Sequence, residues 1–328
     1  MEQFRHTSRW SGYFLGHRHA ASRESTTKGT PMKTPLLVGA AALALAAAGA
    51  VGTPSNATSL VPLAAQPAVV TISVQGDQAM VSPSTVRPGV VEFRVGDTFT
   101  IPGPEGGPDQ LSVLATDQLD VILAALPAVF GGDPTDPAVA AGAAQAMRTI
   151  HGAGTFYGGA NKGMSWQVTL PAGNFTVMGV QSTAMGMAKP ATFTVAGEPR
   201  QGALHATQAT VRAIGPVGNN KWAFTQRGSQ PIEWLRFANS AKELHFLDMS
   251  GVKPSTTPAM VRKALQSNGN PKFFTGQSLS FDVISPGVTV AIKGPVDAGR
   301  YLLDCFIPSE TDGMPHALMG MWKLVDVK

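Results

Sequence analysis

From residue 69 onward the chain alternates apolar and polar residues with a period of two, the spacing that sends successive side chains to opposite faces of a strand. The alternation predicts strands over 69–74 (VVTISV), 90–95 (VVEFRV), 166–170 (WQVTL), 175–177 (FTV) and 191–195 (ATFTV). After a Gly- and Pro-containing break at 197–202 the series restarts over 210–214 (TVRAI), 232–237 (IEWLRF), 289–292 (TVAI), 301–303 (YLL) and 323–327 (KLVDV). Two segments read as helices. Residues 137–150 are rich in Ala, and residues 258–266 follow Thr257, a good N-cap, with Pro258 suited to the first helical turn.

The two series repeat one another. Glu92-Phe93-Arg94-Val95 answers Trp234-Leu235-Arg236-Phe237, Ala172-Gly173-Asn174-Phe175 answers Ala298-Gly299-Arg300-Tyr301, and Met185-Gly186-Met187-Ala188-Lys189 answers Met319-Gly320-Met321-Trp322-Lys323, in the same order. Each half, 69–198 and 203–328, is large enough for a Greek-key β-sandwich with a helical insertion, which makes the expected fold all-β and tandem. Composition agrees. Only 14% of residues are charged, against 36 Gly and 25 Pro, a balance that suits a loop-rich β protein better than a helical bundle.

The segment before the first strand is of another kind. Met32-Lys33 opens an apolar run from Leu36 to Ala50 that ends among Gly and Pro, the pattern of a secretory signal cleaved after Ala57 or Ala50, with Met32 as the initiator and 1–31 as an over-extended start. Residues 58–68 read as a linker. The formal charge of +4 sits in the leader: the first 57 residues hold six basic and two acidic side chains of the chain's 25 and 21, which leaves 19 of each beyond it. A neutral body offers no basic surface for nucleic acid. The secreted chain has a single cysteine, Cys305, so neither an intrachain disulfide nor a four-cysteine cluster can form.

That cysteine lies among other soft donors. His245 follows Glu243-Leu244, Cys305 ends a strand, and Met314-Pro315-His316-Ala317-Leu318-Met319-Gly320-Met321 comes after it. Two imidazoles, one thiolate and one thioether form the donor set of a trigonal copper site with a weak axial sulfur. The order Cys305, Pro315-His316, three residues, Gly320-Met321 and a closing strand resembles the cupredoxin family, most closely its plastocyanin-like domains. Phe237-Ala238-Asn239 followed by His245 is similar to the family's strand that delivers the first histidine. The resemblance implies His245, Cys305 and His316 as equatorial ligands of one copper, with Met321 axial and Met319 as the alternative. Ten residues separate Cys305 from His316, where the family usually has a shorter spacer, so 308–314 is expected to protrude as a loop.

Aligned by its motifs, the first half carries Ser112 at the place of His245, Gly179 at Cys305 and Ser182 near His316, and keeps only Met187; it is expected to bind no copper. His151 and His205 read as surface or structural histidines. The secreted chain has four histidines and no His-x-His pair, which argues against a multicopper oxidase or nitrite reductase, and no Gly-x-Ser-x-Gly elbow supports a hydrolase. The expectation is therefore not an enzyme but a secreted electron carrier whose partner is another redox protein, with no small-molecule substrate. The rivals are a copper sequestration or delivery protein and a copper-free interaction module.

Overall fold

β-branched and aromatic residues at alternate positions build both sheets. The computed structural model describes residues 66–96, 110–179, 189–215, 219–228, 231–267 and 271–328; the leader and residues 58–65 of the linker lie outside these. The first half runs β1 (Ala68–Gln75), β2 (Gln78–Ser82), β3 (Thr85–Val86), β4 (Gly89–Val95), β5 (Leu111–Ala115), α1 (Leu119–Phe130), α2 (Pro137–Ala153), β6 (Thr155–Ala160), β7 (Ser165–Leu170), β8 (Gly173–Gly179) and β9 (Ala191–Val195). The second runs β10 (Ala209–Ile214), β11 (Lys221–Gln226), β12 (Ile232–Asn239), β13 (His245–Val252), α3 (Pro258–Gln266), β14 (Phe274–Ile284), β15 (Thr289–Val296), β16 (Gly299–Asp304) and β17 (Trp322–Val327).

Strand pairing repeats between the halves. β1 pairs antiparallel with β2 and parallel with β4, as β10 does with β11 and β12; β4 pairs with β7 as β12 does with β15; β5 lies between β6 and β8 as β13 lies between β14 and β16. The sheets do not stop at the boundary. β15 pairs antiparallel with β7, opposing Val290 to Val168 and Ile292 to Trp166, and Ile284 of β14 meets Tyr157 of β6. One eight-stranded and one nine-stranded sheet thus run through both halves. The pairing closes strand edges that would otherwise expose unpaired backbone groups.

The core lies between the two sheets and is also continuous. Phe93 stacks on Trp166 at 4.9 Å, Trp166 meets Phe281 edge-on at 5.8 Å, and Phe281 meets Phe237 at 6.3 Å, an aromatic chain that crosses from one half to the other. All four rings are fully buried, and pairs of this geometry add about 0.5–1.5 kcal/mol each beyond the area they bury.

α2 is capped by Asp136, whose side chain accepts from the Ala138 N–H, and it buries a face of small residues including Ala140, Ala143 and Ala144. Thr257 caps α3 over the bounds expected from the sequence. α1 is an addition to the expected elements: its run LDVILAALPAVF is apolar almost throughout, so no period marks it as helix or strand until it packs on α2. No helix of the described residues is long and apolar enough to cross a membrane.

Candidate metal centre

The centre is assembled at the end of the second half where three connections meet. The first crosses between the sheets, from β12 to β13. Asn239, 2% exposed, shapes it: its Nδ2 donates to the carbonyls of Glu243 (2.8 Å) and Ile284 (3.0 Å), while its Oδ1 accepts from the Ala241 N–H (3.0 Å). This knot turns residues 240–244 back on themselves and starts β13 at His245, which is fully buried.

The second connection is the ten-residue spacer, and it closes on itself. The Ala317 N–H donates to the Cys305 carbonyl (2.7 Å) and the His316 N–H to the Ile307 carbonyl (3.0 Å); farther out, the Ser309 N–H donates to the Met314 carbonyl (2.9 Å). These bonds bring His316 back beside Cys305 despite the separation in sequence. The third connection is a tight turn, in which the Met319 and Met321 N–H groups both donate to the His316 carbonyl, at 3.1 and 2.8 Å. Gly320 adopts φ +96°, a conformation that a residue with Cβ rarely takes. The turn drives Met321 into the core at 0% exposure, whereas Met319 lines an outer cleft of about 690 Å³ with Leu318, Trp322 and Arg262.

Sγ of Cys305 lies 3.7 Å from Nδ1 of His245 and 3.7 Å from Nδ1 of His316, and the three donor atoms fall within 4.8 Å of one another. The imidazole rings are 4.6 Å apart and tilted by 47°. At bond lengths typical of a first-row divalent ion, about 2.3 Å to sulfur and 2.0–2.1 Å to imidazole nitrogen, an ion between them would separate S from N by roughly 3.6–3.8 Å at angles from tetrahedral to trigonal. The donor set and its spacing fit such an ion.

Burial pushes the Cys305 thiol up to about 12, against backbone N–H groups of Ile307 and Phe246 that lower it, and the carboxylates of Asp304 and Glu243 raise it further. A thiolate in this position requires a cation beside it. Burial, and then the charge of His316, hold His245 well below its ordinary value of 6.5, so its nitrogen stays free of an added proton.

One feature went unrecognised in the sequence. Nε2 of His316 lies 2.7 Å from Oε2 of Glu243, with both side chains 1% exposed. The same oxygen accepts the Glu310 N–H at 3.1 Å. Glu310 in turn meets Nδ1 of His151 at 2.6 Å. His151 is thus a partner of the spacer and not a free surface group, while His205 stacks on Trp234 at 4.2 Å, away from the centre.

In the first half, β8 opposes Gly173 to Val195 as β16 opposes Gly299 to Val327, which puts Gly179 at the place of Cys305 as expected. Ser112 pairs with Met178, as Asp248 pairs with Asp304, but it also precedes a bulge against β6, as His245 precedes one against β14. Ser182 and Met187 lie outside the described residues.

No protein-family model matches the chain, and no curated protein matches it. Solved structures do. An auracyanin B is 22% identical over 36% of this chain and 86% of its own, with a TM-score of 0.23. A dithionite-reduced auracyanin from Roseiflexus castenholzii is 16% identical over 36% of this chain and 94% of its own, also at 0.23. A copper-containing nitrite reductase from Thermus scotoductus is 10% identical over 79% of this chain and 61% of its own, at 0.20. Scores at this level assign no function.

Proposed function

We propose that this chain is a secreted copper protein that holds one copper in its second half through His245, Cys305 and His316, with Met321 as a weak axial donor, and passes single electrons to a redox protein without transforming a substrate. The observation that carries the reading is the convergence of two imidazole Nδ1 atoms on one buried sulfur at equal distance. Thiolate and thioether favour Cu(I), and imidazole serves both oxidation states. A donor frame held by strand ends and closed backbone bonds limits rearrangement as an electron moves. The first half, with Gly179 where the second has its thiol, is read as a copper-free copy.

Titration of the metal-free protein with Cu(II) tests this. An intense visible band that bleaches with reductant and returns on oxidation supports it, and the band is expected to vanish in Cys305→Ser; retained colour in that variant would sink the assignment. The burial of His316 to 1% exposure beneath the spacer favours a second reading, copper sequestration or delivery. A colourless Cu(I)-only complex with no reversible oxidation would select it.

A further inference from the structure

A chain of contacts ties the His316 imidazole to the other half. Oε2 of Glu243 lies 2.7 Å from Nε2 of His316, and that oxygen accepts the Glu310 N–H. Glu310 is gripped by α2 of the first half: its side chain by His151, its carbonyl by an Arg148 guanidinium N–H. The same helix touches the spacer at a second point, for a Cβ on Gly313 would run into the Ala140 carbonyl. The spacer therefore lies on the small-residue face of α2 along much of that helix's length.

We infer that His151 and Glu310 are positioning residues: through Glu243 the first half sets the orientation and tautomer of His316, and so completes a metal centre to which it contributes no ligand. Buried histidines that bind metal commonly depend on such a carboxylate at the far nitrogen. Here Glu310, which steadies the carboxylate, is itself held by a contact 159 residues away in sequence. Oε1 of Glu243 has no hydrogen-bond partner among the described residues, so the Glu310 N–H is the one backbone donor seen to steady Glu243 there. Loosening Glu310 lets Glu243 turn away from Nε2 of His316, which frees the ring.

The inference rests on the copper reading for the identity of the metal, but its test needs none. His151 is 29% exposed at its side chain, so His151→Ala threatens the fold little, and His151→Gln keeps an N–H able to reach Glu310. In the metal-free full chain two readouts are taken: the rate at which Cys305 reacts with a small disulfide reagent, and the ring ¹⁵N shifts of His316. His151→Ala is expected to speed the thiol reaction about tenfold, the scale of one lost hydrogen bond to a charged group, and to mix the two tautomers of His316. His151→Gln is expected to restore both. An unchanged thiol rate and ring in His151→Ala would overturn the inference. A faster thiol with an unchanged ring would overturn it too, since the spacer would then cover the centre without orienting its histidine. Failure of the wild-type protein to bind copper would remove the proposed function and leave these two readouts as they stand.

Discussion

Replacing Asn239 by Ala should unfold the corner on which the centre is built. The side chain makes three hydrogen bonds to backbone groups at 2.8–3.0 Å and is 2% exposed. Alanine leaves the Ala241 N–H with no substitute, and a buried donor left unsatisfied costs about 1–3 kcal/mol. The Glu243 and Ile284 carbonyls lose a donor each but keep a second lone pair, so their share is smaller; the total comes to about 2–4 kcal/mol. Urea unfolding of the metal-free protein measures it, with the slope of the transition expected to stay the same and the midpoint to fall. Asn239→Asp should do no better than alanine, because an acceptor would face two carbonyl oxygens. Since residues 240–244 carry Glu243 and lead into His245, copper uptake should weaken in the fraction that stays folded. A loss below about 0.5 kcal/mol, the size of an ordinary surface substitution, would refute the claim that this side chain organises the corner.

Three further outcomes follow from the same geometry. On the proposed copper reading, Met321→Leu should keep copper bound with a shifted potential by voltammetry, because a weak axial sulfur tunes such a site while equatorial donors hold the ion. The hydrogen bond to Glu310 raises His151 above its ordinary 6.5, opposed by burial and helped by the charges of Glu310 and Glu243; the contact therefore stabilises the fold fully below that ordinary value and is lost as pH rises through the raised one. The stability gap between wild type and His151→Gln should shrink as pH is raised from about 6 to 9, and a gap that widens would contradict the sign. Trp166→Ala should cost about 3–5 kcal/mol in a thermal or urea melt by opening the aromatic chain between the halves.

Much of the fold was legible because strands buried on one face advertise themselves by alternation. The segments 69–74, 90–95 and 232–237 fall within β1, β4 and β12, and α3 keeps the bounds that Thr257 and Pro258 announce. β13 and β14 were harder, since Asp248, Ser250 and Asp282 are polar residues set into the sheet and blur the pattern. The joining of the halves was not legible at all. Val168 and Val290 reveal that each strand has an apolar face, but no local signal names the strand across the ladder. The donor set stood out through its residue types, whereas Glu243 looked like any acid beside a histidine, and His151 acquires its partner only when a helix from one repeat is laid against a loop from the other.

That helix marks where two copies of one pairing scheme depart from each other. α2 and α3 occupy the same place in the repeat, between the fifth and sixth strands of the first half and between β13 and β14 of the second. α3 has nine residues, about 14 Å of helix, while α2 has seventeen, about 26 Å. The two contacts with the spacer, at Ala140 and His151, are eleven residues apart and need about 16 Å of rigid helix. A helix the length of α3 could not make both. The ten residues between Cys305 and His316 likewise need a surface to lie on, for a shorter spacer would not reach α2. The long helix of one half and the long loop of the other are thus complementary departures from a common plan, meeting at Ala140 and His151.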